Sequence, residues 1–366
     1  MQPTLTAMSA VLALALALDA EQALEAQSSN IHPTDVVRSR NDLAPRKVIV
    51  GTTLQQFWGE YPGLDNRLAQ LVALVDETAV EARKKYGRGP DLVTLPEAAV
   101  TGERGGKAVD RAVPYEGKVQ EVFAALARKH ECYVIVPLEL LEDARAGLCY
   151  NACVVVDRKG ETVGIYRKMF PAVQHGTDNM EGGMATGPEA PVFECDFGKL
   201  GVQICFDMEF DQGWEELARK GAELVVWATQ SPQTTHPAAR AMKYRYYIVS
   251  CNWRNNSTIF EPTGKIIAQI RPPQRVLVEE IDLTYMILPW TERLRNGAAL
   301  KEKYGDKVGF RYYEDEDCGF FWSNDPRVPI GEMAKSINMV DWSEEHARLN
   351  QLFLRVRSGK ETEPRP

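Results

Sequence analysis

Short apolar runs alternate with amphipathic stretches of helical period along the first half of this chain, and that order admits few folds. Val48-Ile49-Val50-Gly51 reads as a first strand. Leu68, Leu71, Val72, Val75 and Val80 then recur at helical spacing, which predicts a helix over 68–80. Asp91-Leu92-Val93-Thr94-Leu95-Pro96-Glu97 is a second strand-like run, ending in a carboxylate. Over 119–129, Val122, Phe123 and Leu126 share one helical stripe, and Cys132-Tyr133-Val134-Ile135-Val136 follows as a strand. Alternation of this kind sets helices outside a sheet. Hairpin-like strands come next at 150–157 and 162–166, joined by the polar turn Arg158-Lys159-Gly160-Glu161. The alternation restarts with a strand at 200–204, a helix near 213–220 and a strand over 224–228. Strands at 264–268 and 276–281 are expected to close this second half. Two such halves fit two sheets lying face to face with helices outside.

Chemistry concentrates where three of these runs end. Cys205 follows Lys199-Leu200-Gly201-Val202-Gln203-Ile204, at the end of a short buried strand, a rigid platform facing a cleft. Taken alone, a free cysteine is more often a small core hydrophobe. Glu97, after Pro96, and Lys168, after Thr162-Val163-Gly164-Ile165-Tyr166-Arg167, would each pass singly for solvated surface charges. In the order Glu97, Lys168, Cys205, each just beyond a short strand, they resemble the nitrilase (carbon–nitrogen hydrolase) superfamily over about residues 47–281. Met180-Glu181-Gly182-Gly183 looks like that family's stretch with a second active-site glutamate. Arg240-Ala241 before Tyr247-Ile248-Val249-Ser250-Cys251-Asn252, and the hairpin from Ser257 to Gly264, agree with it. Any one of these segments is weak; the ordered set is specific.

The resemblance implies a four-layer α/β/β/α sandwich and hydrolysis of a non-peptide carbon–nitrogen bond through a cysteine thioester. An amide carbon is a poor electrophile, so a strong nucleophile and a covalent intermediate help. Cys205 would be that nucleophile and Glu97 the base that cycles its proton. Lys168 would stabilise the oxyanion with the backbone N–H of Phe206, and would favour ionisation of Cys205. Glu181 would hold Lys168. Asp207 reads as a structural acid behind the nucleophile. A papain-like pairing needs a histidine. His175 and His236 read better as loop residues, and His130 as the end of a helix.

Nitrilases proper have Cys-Trp-Glu after the nucleophile; Cys205-Phe206-Asp207 is closer to the amidase and carbamoylase branches. The expected substrate is therefore a small linear amide or N-carbamoyl compound, with water, and a nitrile or a turnover-deficient scaffold role are the alternatives. No cofactor or metal is implied: the seven cysteines show no CxxC spacing, and no P-loop appears. A net charge of −8 without basic runs among aromatics excludes nucleic acid as a natural partner.

Residues 8–18 are apolar but too short to span a bilayer. They resemble a signal-peptide core within residues 1–26, with Ala-rich cleavage sites near Ala20 or Ala26. The first basic residue is Arg38, so export and a cytoplasmic location both stand. Residues 27–46 read as leader or linker, 47–282 as the hydrolase domain, and 283–366 as an extension rich in aromatics. That extension shows few periodic elements until a final amphipathic helix near 342–354, with Ser343 as its cap, and a tail expected to be disordered. Met242, Tyr244, Tyr246 and Tyr247 form a candidate homodimer surface, because aromatics and Met are enriched in interface cores.

Overall fold

The computed structural model describes residues 41–102 and 104–358; the signal-like segment, most of the leader and the last eight residues lie outside them. One compact unit spans residues 39–342. Five strands of its first sheet are β1 (Lys47–Thr53), β2 (Leu92–Thr94), β3 (Tyr133–Asp143), β4 (Leu148–Val156) and β5 (Thr162–Arg167). The second sheet holds β6 (Val192–Cys195), β7 (Gly198–Ile204), β8 (Leu224–Thr229), β9 (Tyr247–Asn252), β10 (Ser257–Phe260) and β11 (Ile266–Ile270), in the order β11-β10-β9-β8-β7-β6. In each sheet three consecutive strands run parallel, β1 to β3 and β7 to β9, so their carboxyl ends point the same way.

The sequence places β12 (Val276–Asp282) at the close of the second half, but it pairs antiparallel with β1 and completes the first sheet, β12-β1-β2-β3-β4-β5. The reason is burial on two sides. Val278 packs with Ile49 and Ala82, while Ile281 joins the core between the sheets. Asp282 fixes the register by accepting the Arg46 N–H at 3.0 Å.

Residues alternate strictly across the first sheet. Val48, Val50, Leu92, Ile135 and Val155 meet Val202, Ile204 and Val226 of the second sheet. The intervening Val93, Val134, Val154 and Val156 face outward against α1 (Leu64–Tyr86) and α3 (Lys118–His130), which contribute Leu68, Leu71, Leu74, Val75, Val119 and Phe123. A short α2 (Ala108–Arg111) lies between those two helices in sequence. Each fully buried Leu or Val contributes about 1.5–3 kcal/mol. Val80, counted on the apolar stripe of α1, is 61% exposed, because α1 presents a narrower face than its sequence pattern suggests. On the other side, α4 (Asp211–Arg219) and α5 (Thr235–Tyr244) cover the second sheet with Trp214, Leu217, Ala218 and Ala241. The four-layer α/β/β/α order follows.

Two expectations fail beyond this point. The extension is regular: β13 (Tyr285–Pro289), β14 (Val308–Tyr313) and β15 (Cys318–Ser323) form a three-stranded antiparallel sheet, with α6 (Ala298–Tyr304) and α7 (Ile330–Lys335) on it. Phe320 packs into the sandwich core and Phe321 into the extension's own core, so β15 is buried on both faces. The tyrosine surface also does not exist as an exposed patch. Tyr246 is fully buried, donates to the Trp214 carbonyl at 3.3 Å and stacks on Tyr244. Tyr247 packs edge-on to Tyr285 and Phe320, so the chain covers its own aromatics, and only Met242 is exposed.

Residues 343–357 fall in a second unit. They belong to α8 (Trp342–Arg357), which begins one residue before Ser343, so Ser343 lies in its first turn rather than at its cap. Among the described residues no helix is long and apolar enough to cross a membrane.

Candidate active site

The site sits beyond the carboxyl ends of the parallel strands, where a βαβ topology leaves a crevice. Cys205 follows β7 directly and opens a five-residue 3-10 helix, Cys205–Glu209. Its φ is +41°, an unusual conformation for a residue with a side chain. That strained turn swings the chain from strand to helix at the thiol. The indole of Trp227 donates to the Cys205 carbonyl at 3.1 Å and pins the turn from the neighbouring strand.

Glu97 lies three residues beyond β2 and is almost fully buried. Its carbonyl accepts from the Trp253 indole at 2.7 Å. Lys168 is the first residue after β5, and its N–H still bonds the Asn151 carbonyl at 2.8 Å, so the ladder fixes its side chain. The Lys168 ammonium donates to Glu97 Oε1 at 2.9 Å and to Glu181 Oε1 at 2.5 Å. Burial alone would lower the Lys168 pKa, but Glu97, Cys205 and Glu181 around it raise it well above its ordinary value, so it is an ammonium. Burial would push Glu181 up; the charge and hydrogen bond of Lys168, with the Ala172 N–H and Asn151, bring it below the usual carboxylate range. Arg111 of α2 holds the Glu181 carbonyl at 2.8 Å and so fixes that loop.

Burial, then the charge of Glu97, push the Cys205 thiol up to about 12 against the opposing pull of Lys168. The sequence reading that Lys168 favours ionisation is right in direction, but burial outweighs it. Cys205 rests as a thiol and needs a base to react. Glu97 Oε1 takes both of that carboxylate's donors, and its buried Oε2 has no hydrogen-bond partner among the described residues.

Asp207, two residues beyond the cysteine, is fully buried and serves the backbone. It accepts from the Ile204 and Phe170 N–H groups at 2.8 and 2.9 Å and from the Tyr166 hydroxyl at 2.7 Å. Those contacts tie the cysteine turn to the loop after Lys168. Burial raises its pKa to about 6. Phe206 lies in the first turn of the 3-10 helix. An aromatic wall runs beside these two loops: Phe170 stacks on Phe210 at 4.2 Å, and Phe206 meets Phe210 edge-on.

The structure therefore gathers Glu97, Lys168, Glu181 and Cys205, and gives His130 and His236 other partners. His236 is exposed beside Glu209, and His130 bonds Asp76. Sequence reasoning missed two residues. Asn151 donates to Glu97 at 2.9 Å and to Glu181 at 3.1 Å; the available signal was an Asn in an apolar strand, where that residue is depleted. Thr229 ends β8, and its hydroxyl and the Gln230 backbone N–H lower the Cys205 pKa against the effect of burial. The parallel register that pairs Ile204 with Ala228 sets Thr229 beside Cys205. Thr229 Oγ1 accepts the Ser231 N–H at 2.8 Å.

A family model for carbon-nitrogen hydrolases matches residues 58–288 of this chain. An omega-amidase of Danio rerio is 26% identical over 258 residues, covering 63% of this chain and 90% of that protein. A Schizosaccharomyces pombe protein described as a probable nitrilase is 27% identical, covering 62% and 82%. Among solved structures, Nit3 of Saccharomyces cerevisiae matches with a TM-score of 0.56 at 20% identity, over 67% of this chain and 93% of that one. That likeness extends to the two-sheet fold described above. The chain belongs to the carbon–nitrogen hydrolase family.

Proposed function

We propose that this carbon–nitrogen hydrolase cleaves the carboxamide of a small linear substrate through a thioester on Cys205. The observation that carries the reading is the bare Oε2 of Glu97, a carboxylate that, with Lys168, acts electrostatically on a Cys205 thiol raised to about 12. As the sulfur bonds to the amide carbon, its proton passes to Glu97. The oxyanion that forms is met by the Lys168 ammonium and the Phe206 N–H. Glu97 returns the proton to the nitrogen, the carbon–nitrogen bond breaks, and ammonia leaves a thioester. Glu97 then takes a proton from water as its oxygen attacks the thioester. The carboxylic acid departs and the proton returns to the sulfur.

An amide is favoured over a nitrile by Cys205-Phe206-Asp207, and by relatives that include omega-amidases and a human deaminated glutathione amidase, 27% identical over 240 residues. The S. pombe relative keeps a nitrile as the second reading. Ammonia release from short ω-amides, N-carbamoyl amino acids and nitriles separates the classes. Turnover of amides is expected; turnover of nitriles alone would overturn the amide assignment. Cys205→Ala should remove all measurable turnover, at least about 10⁴-fold, while the melting profile stays native. Near-native activity in that variant ends the thioester mechanism.

A further inference from the structure

Three buried side chains meet in a closed ring with Asn151 as its fourth member. Lys168 Nζ bonds Glu97 Oε1 and Glu181 Oε1, and Asn151 Nδ2 bonds Glu97 Oε1 and Glu181 Oε2. One ammonium faces two carboxylates here, which leaves one negative charge in excess. Asn151 supplies two donors to that excess without adding charge. Ser or Thr would donate once, and Lys or Arg would neutralise the site. Its amide orientation is fixed by the same neighbours, since the reverse would set a carbonyl oxygen against both carboxylates. The backbone of Asn151 also accepts the Lys168 N–H, so one residue of β4 grips both strand-end groups of the first sheet.

The consequence falls on Glu97. Both donors go to Oε1, which makes the two Glu97 oxygens unequal and leaves its Oε2 without a partner among the described residues. We propose that Asn151 is a positioning residue that locks the Glu97 carboxylate with Oε2 toward the reacting proton, and that couples Glu97 to Glu181. This rests on the thioester reading above. Asn151 need not touch the substrate; it acts through Glu97.

The test uses the full chain and an amide identified by ammonia release. Asn151→Ala should lower kcat by about 10- to 100-fold, the range of a lost charge-assisted hydrogen bond felt only by reacting groups, with KM changed less than about threefold. The acid limb of its kcat/KM profile should move to higher pH, because donors to the ionised carboxylates are gone. Asn151→Asp keeps the shape and carries the test should the Ala variant fail to fold. Ionised, it adds a third carboxylate; protonated, it still donates one bond. Its activity relative to the native enzyme should therefore rise as pH falls. A merely structural role would lower both pH profiles in parallel with the native one, and that outcome overturns the proposal. Loss of activity in Cys205→Ala beside unshifted Asn151 profiles overturns this inference alone. Activity retained in Cys205→Ala removes the thioester reading and this inference with it.

Discussion

Glu97 and Glu261 are two buried glutamates in the same local setting with different fates. Each is next to a proline, each stands at or just beyond a strand end, and each is paired to a cation. Glu261 spends every oxygen. Its Oε1 accepts from Thr263 at 2.7 Å, and its Oε2 takes the Arg311 fork at 2.9 and 2.5 Å. Arg311 comes from β14, so this pair fastens the extension to the sandwich. Glu97 leaves one buried oxygen without a hydrogen-bond partner among the described residues. An unsatisfied buried polar atom costs about 1–3 kcal/mol. Glu261 is fully engaged as a fastener, whereas the bare oxygen of Glu97 is the one the proposed mechanism uses to take the Cys205 proton.

Exchange of each glutamate for its amide breaks the comparison in opposite ways. Glu97→Gln should lower kcat on the order of 10³-fold, as loss of a general base does, and leave the melting temperature nearly unchanged. A destabilised but active Glu97→Gln would reverse the assignment. Lys168→Ala should cost on the order of 10²-fold in kcat, the effect of one lost oxyanion donor. Glu261→Gln should keep activity per folded molecule within about twofold. It should cost about 2 kcal/mol in denaturant unfolding, less than a fully buried pair because Arg311 is partly exposed. Equal activity losses in Glu97→Gln and Glu261→Gln would erase the distinction.

Asp207 sharpens the comparison as an intermediate case, with three donors but no bonded cation. Burial raises it to about 6, so hydrogen bonds without a cation do not hold it low. The folded state therefore keeps a proton that the unfolded chain releases near pH 3.8. Its contribution to stability is complete below that pH and is lost as pH rises through about 6. Urea midpoints measured from pH 4 to 7 should fall along this slope, and Asp207→Asn should flatten it. A midpoint rising across that window in the native protein, and unchanged in the variant, would contradict the assignment.

The gathering of Glu97, Lys168 and Cys205 was legible because each ends a local pattern, an apolar run and then a polar group, whereas Glu181 came only through the resemblance of Met180-Glu181-Gly182-Gly183. Asn151 was not, since inside an apolar run it reads as a strand residue and its partners lie 54 and 30 residues away. Thr229 was hidden because only the parallel register sets it beside the sulfur. The extension's strands were unreadable for a different reason. With Phe320 and Phe321 buried on opposite faces, β15 lacks the polar alternation that announces a half-exposed strand. The tyrosines at 244, 246 and 247 misled because composition shows an aromatic cluster but not the Trp214, Tyr285 and Phe320 that cover it.

The return of β12 to the edge of β1 sets a timetable for synthesis. Lys47 must wait for Asp282, its register partner, so the first sheet stays open while 235 further residues are made. At roughly 5–20 residues per second that wait is on the order of 10–50 s. During it, β1 offers an unpaired edge beside Val48, Ile49 and Val50, a template for other nascent chains on the same message. The last strand of the two large sheets in sequence thus decides when the first sheet is safe from its neighbours.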